Sequence, residues 1–516
     1  MTATPTPDSS ATGSTGRDGS GDATERTYDV VVLGAGAVGE NVADRAGRGG
    51  LSVAIVESEL VGGECSYWAC MPSKALLRPG AALEAARAVP GADAAVTGTL
   101  DVPAVLARRD SFTSDWDDSG QVEWLQSAGI ELVRGAARFT GPRRLEVRDG
   151  DGAATTVVAR HAVVVATGSE PVIPDVPGLA TARPWTSREA TAAQEVPGSL
   201  AVVGGGVVAT EMATAYADLG AQVTLLVRGD GLLPGMEPFA GEAVAGALTA
   251  RGVDVRFGTE ARRVRRADDG VHLELSSGDT LVADEVLVAT GRRPRTADLG
   301  LDTLGLEPGG ALEVDDSLRV TAVDDGWLYA TGDVTGRTAT THQGKYDARV
   351  AGDVIAARFA GGGTDGAVVG GDGPTAGATP SDVEGGAPWS RWRATADHAA
   401  VPQVVFTRPE VAAVGLTEAQ ARDAGLPVRV VQYPIGSVAG ASLYAQGYEG
   451  TASIVVDTDR EVVVGATFVG PEVAEMLHAA TIAVVGQVPL SRLWHAVPSY
   501  PTVSEVWLRL LESYGL

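Results

Sequence analysis

Two stretches of the chain share one rhythm: consecutive apolar residues, a cluster of glycines, then an alanine-rich segment with helical spacing. The first starts at residue 28 and meets its glycines at Gly34, Gly36 and Gly39; the second starts at 199 and meets Gly204, Gly205 and Gly206. Further apolar runs follow at 51–56 and 222–227. Unbroken apolar runs mark strands buried on both faces, and strand–helix–strand units imply parallel pairing. The pattern therefore predicts an α/β protein with two parallel sheets. Two more runs, 163–168 and 286–291, end in the same Ala-Thr-Gly turn. From 401 the rhythm changes. Short strands at 404–407, 428–433 and 452–456 and a helix at 472–485 predict a separate α+β unit.

A chain of 516 residues is long enough for roughly three such units. The first 27 residues are rich in Thr, Ser, Gly and Asp and read as a disordered tail, without the basic and apolar regions of a secretory signal. Residues 361–396 read as a flexible insertion or linker, because from 361 to 386 Gly, Ala, Thr, Pro and Asp follow one another without periodicity. No apolar run reaches the ~18 residues that span a bilayer. The formal net charge of −26 opposes binding to nucleic acid or to anionic lipid. Together these features predict a cytoplasmic protein without nucleic-acid or membrane partners.

Glycine at Gly34, Gly36 and Gly39 allows a tight turn and lets the backbone approach a pyrophosphate at a helix N-terminus. Glu57 ends the next strand, where a carboxylate accepts from ribose hydroxyls. The second turn, with Gly204 and Gly206, has Arg228 at the corresponding strand end. Read as a ligand, that guanidinium suits a 2′-phosphate and favours NADPH over NADH; otherwise it is a solvated surface charge. Two such turns predict two dinucleotides, and no metal centre is predicted.

The only two cysteines, Cys65 and Cys70, are five positions apart. In an ideal helix their Cα atoms would be about 8.6 Å apart, beyond the ~7 Å reach of a disulfide. Pairing therefore requires a distorted segment. Pro72 favours one, since it cannot donate to the Trp68 carbonyl. A thiolate opening the next helix would be stabilised by the helix dipole. The residues alone leave two readings: a redox pair, or two buried free thiols. A zinc site would need ligands that no neighbouring Cys/His cluster supplies.

These motifs, in this order, resemble the class I pyridine nucleotide–disulfide oxidoreductases. The likeness extends through Gly63, Cys65, Cys70 and Lys74, the turn at Thr167 and Gly168, Glu211, the turn at Gly291, Asp333, and the segment 401–418. It implies an FAD-binding domain formed by 28–175 and 294–360, an NAD(P)-binding domain at 176–293 nested within it, and a dimerisation domain at 397–516. The dimer would be a homodimer. In the family pattern Asp333 would hold the FAD ribitol, Cys70 would face the flavin, and Cys65 would exchange with the acceptor. Lys74 and Glu211 match the family's ion pair near the flavin and nicotinamide.

One position departs from that pattern. Members that process dithiols carry His-Pro with a Glu four residues after the proline; here Tyr500 stands where the histidine would be, while Pro501 and Glu505 are retained. A phenol with a pKa near 10 is a poor base at neutral pH. His495 is nearby but reads as a loop imidazole. Tyr67 and Trp68, bulky residues between the cysteines, either pack against a neighbouring domain or shape the acceptor site. The sequence thus predicts an FAD-dependent NAD(P)H oxidoreductase passing electrons to a small-molecule acceptor such as a quinone, a metal ion or another electrophile. The alternatives are a dihydrolipoamide dehydrogenase-like disulfide reductase and a flavin-binding scaffold without turnover.

Overall fold

The computed structural model describes residues 25–360 and 380–516. The first unit is built on a seven-stranded sheet. Its parallel strands lie in the spatial order Glu131–Arg134, Val53–Glu57, Glu25–Leu33, Ala154–Val165 and Leu328–Ala330. The long strand Ala154–Val165 changes neighbour midway: its first half pairs antiparallel with Arg144–Arg148, its second half parallel with Leu328–Ala330. Val30, Val31 and Val32 are wholly buried, as an unbroken apolar run requires. Because these strands run the same way, Gly34, Glu57, Ala166 and Thr331 all emerge at one edge of the sheet. Ligands bind at such carboxyl edges in open α/β sheets.

The chain leaves this unit through Ser169–Pro171 and returns through Arg292–Pro294, and these two short strands pair with each other. Between them lies a four-stranded parallel sheet in the order Asp254–Arg256, Gln222–Leu226, Ser199–Val203 and Glu285–Val288. A three-stranded antiparallel sheet, Ala261–Ala267 to Thr280–Ala283, accompanies it. One α/β unit is thus nested in another, as the family resemblance implied. The C-terminal unit is a five-stranded antiparallel sheet covered by the helices Leu477–Val485 and Val506–Tyr514. Its most buried strand, Val462–Gly470, was not among the predicted strands. The helix predicted over 472–485 begins instead as a 3₁₀ turn, Val473–Met476.

Two boundaries are corrected. The tail does not extend to residue 27: Glu25, Arg26 and Thr27 belong to the first strand and pair with Thr156, Val157 and Val158. A backbone ladder continues to a sheet's end without apolar side chains, and Arg144 holds Glu25 there at 3.0 Å. Residues 1–24 lie outside the described residues, as do 361–379 of the expected insertion. Residues 380–396, however, are packed rather than loose. A helix, Pro380–Glu384, is followed by a segment whose Trp392 and Ala394, together with Val383, enter the core beside the helix Thr341–Phe359. Arg391 bonds Asp353 at 2.6 Å. Three apolar anchors suffice here, and a composition rich in Gly and Ala conceals them.

The helix Cys70–Arg87 sits where the units meet. Its Leu76 and Leu77 share one core with Val202 and Met212 of the nested unit and with Val405 and Val469 of the C-terminal unit. Cys70, at its first position, is thereby fixed to all three.

Candidate active site

The helical path breaks between the cysteines. A short helix, Gly63–Tyr67, ends at Trp68 (φ −137°, ψ 5°); Ala69 is not helical either (φ −139°, ψ −97°), and a new helix starts at Cys70. This break brings the free thiols of Cys65 and Cys70 close enough for each to shift the other's titration. Pro72 stands at the third position of the new helix, where a missing N–H leaves no intrahelical bond unmade. The carbonyls freed by the break are not orphaned. Trp116 Nε1 donates to the Tyr67 carbonyl at 3.2 Å, and the Thr191 hydroxyl donates to that of Trp68 at 3.1 Å. The Arg188 guanidinium lies 4.1 Å from the Trp68 ring centre and forms ion pairs with Glu59 and Glu64. Tyr67 is fully buried, and neither it nor Trp68 lines the cleft, so both aromatics serve packing.

The two thiols differ electrostatically. The hydrogen bond from Cys65 holds the Cys70 thiol below its ordinary range; the Thr341 hydroxyl and the Lys74 ammonium add to this, against the effect of burial. The same bond, followed by burial, pushes Cys65 up. Thr341 Oγ1 lies 3.2 Å from Cys70 Sγ. Lys74 Nζ donates to Glu211 Oε2 at 2.8 Å, and Glu211 is almost completely buried. The other carboxylate oxygen accepts from the Phe406 backbone N–H at 2.9 Å, while the Phe406 ring centre lies 4.9 Å from Lys74 Nζ. The C-terminal unit thus supports an ion pair formed by the other two.

Both thiols open on a cleft of about 1150 Å³ that also contains Gly34, Gly36, Glu57, Gly63, Gly168 and Asp333. A Cβ on Gly34 would strike the Ala166 carbonyl, and one on Gly39 the Gly34 carbonyl, so both glycines are needed for packing. Gly36 has open space before it and caps the helix Ala37–Arg48 without any side-chain hydrogen bond. Its uncapped amides face the cleft, which fits a pyrophosphate. Glu57 accepts from the amides of Ala35 (2.8 Å) and Glu59 (2.7 Å), which fixes the carboxylate at the strand end. Asp333 accepts from Ser169 Oγ at 2.6 Å, and Thr167 Oγ1 donates to the Arg295 carbonyl at 2.7 Å.

A second cleft, about 1400 Å³, contains Gly204, Gly206, Arg228 and Gly291. Gly206 has nothing within 4 Å of a built Cβ and leaves the helix Val207–Asp218 uncapped, again a fit for phosphate. Arg228 is exposed at its rim, and Arg262, paired with Glu260 at 3.2 Å, lies in the same lining. Arg262, Thr341 and Phe406 were not among the predicted residues. Each comes from an element distant in sequence; Phe406 lies within the segment 401–418, whose resemblance carried no site role, and no short motif announces Arg262 or Thr341.

Tyr500 and His495 are not brought to the thiols within one chain. Tyr500 is 77% exposed and neither residue lines the cleft. Leu443, Ile482, Trp494 and Val497 of the C-terminal unit are likewise exposed. Glu505 is buried; one oxygen accepts from Arg509 at 2.8 Å and the other has no partner among the described residues. Among the described residues no helix is long and apolar enough to cross a membrane.

A nested pair of dinucleotide-type units, a thiol pair at their junction and a third unit sharing a core with both define a flavoprotein disulfide reductase architecture. The chain matches the pyridine nucleotide-disulphide oxidoreductase family over residues 28–348 and that family's dimerisation domain over 401–510, and it belongs to this family. It is accordingly an FAD-dependent oxidoreductase with NAD(P)H as electron donor, and its dimerisation domain supports a homodimer. It is 32% identical to a dihydrolipoyl dehydrogenase of Thermus scotoductus, covering 95% of this chain and 97% of that one. It is also 32% identical to a mercuric reductase of Shigella flexneri, covering 92% and 79%. The solved HOCl-induced flavoprotein disulfide reductase RclA from Escherichia coli, as its Cu(II) complex, superposes with a TM-score of 0.77 at 25% identity, covering 94% of this chain and 99% of that one.

Proposed function

We propose that a Cys65–Cys70 disulfide is the second redox centre of this enzyme, and that its electrons pass to a small acceptor: a quinone, a metal ion or another electrophile. The supporting observation is the thiol pair itself. It lies in the same cleft as the first glycine turn and Asp333, and a neighbouring hydrogen bond favours the Cys70 thiolate. FAD, when bound, supplies the two-electron step between nicotinamide and disulfide. The uncapped amides that follow Gly36 would hold its pyrophosphate, with Gly34 and Gly39 shaping the turn, while Glu57 would hold its ribose and Asp333 its ribitol; Gly63, Thr167 and Gly168 shape the same cleft. Gly204, Gly206 and Gly291 form the nicotinamide nucleotide site, with Arg228 on a 2′-phosphate, so NADPH is preferred to NADH. Lys74 keeps a positive charge beside Cys70, and Glu211 fixes its position.

Tyr500 decides the acceptor class. In a homodimer Tyr500 and Glu505 would approach the partner's thiols, and a phenol there can donate a hydrogen bond but is a poor proton acceptor at neutral pH. Acceptors that do not require a thiol to be deprotonated by that residue are therefore favoured. The proposed setting is the cytoplasm, where a dithiol can be held reduced. The test is anaerobic: protein reduced with NADPH is mixed with disulfides, quinones and metal ions while flavin reoxidation is followed. Rapid reoxidation by quinones or metal ions, with slow reoxidation by lipoamide-type disulfides that Tyr500→His accelerates, supports the reading. Wild-type reoxidation by lipoamide-type disulfides at the rate of the Tyr500→His variant sinks it.

A further inference from the structure

The chain carries 40 cationic residues, of which 38 are arginine and two are lysine, Lys74 and Lys345. Both lysines line the cleft that holds the thiols. Everywhere else the protein uses guanidinium, which stays charged and cannot give up a proton in the accessible pH range. A lysine retained here keeps both a compact charge and a transferable proton. Lys74 is already bonded to Glu211. Lys345, one turn into the helix Thr341–Phe359, makes no hydrogen bond or ion pair among the described residues.

Its surroundings are those of an acid on the acceptor side. Lys345 lies within electrostatic reach of the Cys65 thiol and of Glu40 on the helix Ala37–Arg48. Glu40 is partly enclosed, and its Oε1 is buried without a partner. Burial, with a small contribution from Glu57, pushes the Glu40 carboxyl up to about 7 against the pull of Lys345; Tyr67 faces it from the redox segment. A proton source thus stands behind the ammonium. Pro402, Val404 and Leu477 give the same cleft an apolar wall.

We infer that Lys345 is the proton donor to the acceptor, and that the acceptor is a quinone-like molecule whose oxygens gain negative charge as it is reduced. The inference rests on the Cys65–Cys70 redox reading above and narrows its acceptor class, since an ammonium beside the thiols opposes a metal cation and favours a developing oxyanion. The step balances. The Cys70 thiolate and Cys65 thiol close to a disulfide and their two electrons go to the quinone. One proton comes from Cys65 and one from the Lys345 ammonium, giving the hydroquinone and a neutral amine. Glu40 or solvent then returns the proton to Lys345.

The test compares two acceptors on the holoenzyme: duroquinone, which must be protonated on reduction, and ferricyanide, which takes electrons alone. Lys345→Met and Lys345→Arg should each lower the quinone-to-ferricyanide turnover ratio by about a hundredfold, the usual scale of general acid catalysis. The arginine variant keeps the charge and discards the transferable proton. A wild-type ratio in Lys345→Arg overturns the proton role, and an equal loss with both acceptors in both variants reduces Lys345 to a structural part. Undiminished quinone turnover in Cys65→Ser overturns the route through the thiols. A wild-type flavin that neither NADPH nor NADH reduces is a different failure, that of the underlying redox reading.

Discussion

Cys70 Sγ lies 3.2 Å from Thr341 Oγ1, a contact between residues 271 positions apart that ties the redox helix to the last helix of the first unit. With the thiolate formed, the hydroxyl donates and stabilises the charge. Thr341→Val removes that donor at nearly constant volume. A hydrogen bond to a charged group contributes about 1.5–3 kcal/mol, so the Cys70 pKa should rise by about one unit or more. Thiolate ultraviolet absorbance followed against pH in the reduced protein measures this, and Thr341→Ser should retain most of the wild-type midpoint.

Cys65 is the larger influence on the same thiol. Cys70 is held at about 6, chiefly by the Cys65 hydrogen bond. A lowered thiol pKa means that Cys70 is a thiolate above that pH and is protonated as pH falls through it. Cys65→Ala removes the donor and should carry the midpoint toward the ordinary thiol range near 8.5. Because only the thiolate reacts, iodoacetamide labelling of Cys70 at neutral pH should slow in Cys65→Ala. An unchanged rate would show that Cys65 does not set the charge of its neighbour.

Glu211 has two partners, and two substitutions separate them. Its Oε2 accepts from Lys74 and its Oε1 from the Phe406 amide. Glu211→Gln keeps an acceptor for Phe406 but loses the charge; Glu211→Ala leaves a buried N–H unpaired, at a cost of about 1–3 kcal/mol. Urea denaturation should therefore find the alanine variant less stable than the glutamine variant. Flavin reduction by NADPH should slow in both, because both leave Lys74 without its counter-charge. Equal stability of the two would deny the Phe406 bond its role.

The parts legible in sequence are those fixed by local chemistry. The turns at Gly34 and Gly204 are readable because packing at Gly34, Gly39 and Gly204 excludes a side chain. The break between Cys65 and Cys70 follows from a spacing that an ideal helix cannot close. The position of Tyr500 is different: it is 77% exposed and outside the cleft of its own chain, which no local pattern announces. Thr341 and Phe406 reach the site from afar, so even the recognisable segment 401–418 does not reveal that Phe406 meets Glu211. Lys345 did leave a trace, as one of only two lysines, but residue scarcity becomes informative only when both are seen in one cleft.

Trp392 tests the corrected boundary. It is 8% exposed and packs with Val383 and Ala394 against the core of the first unit. Removing a large aromatic side chain from such a site costs about 3–5 kcal/mol. Trp392→Ala should accordingly lower the urea midpoint and increase proteolysis within 380–396. A variant as stable as wild type would return this segment to the class of loose insertions.

The nucleotide preference turns on Arg228. The glycine turn at Gly204–Gly206 fixes where a pyrophosphate would lie, and Arg228 follows the strand that ends at Leu226, at the rim of the same cleft. A 2′-phosphate held there would form charge-assisted hydrogen bonds, whereas the hydroxyl of NADH would gain little from a cation. Arg262 is in reach of the same rim, but its charge is shared with Glu260 at 3.2 Å. Arg228→Ala should therefore raise the KM for NADPH by about tenfold, on the scale of about 1.4 kcal/mol for a partly exposed contact, and leave that for NADH nearly unchanged. Arg262→Ala should have the smaller effect. Steady-state kinetics with both nucleotides distinguishes the cases: a parallel rise for NADPH and NADH would make Arg228 a general support of the cleft, and no rise would leave it a solvated surface charge.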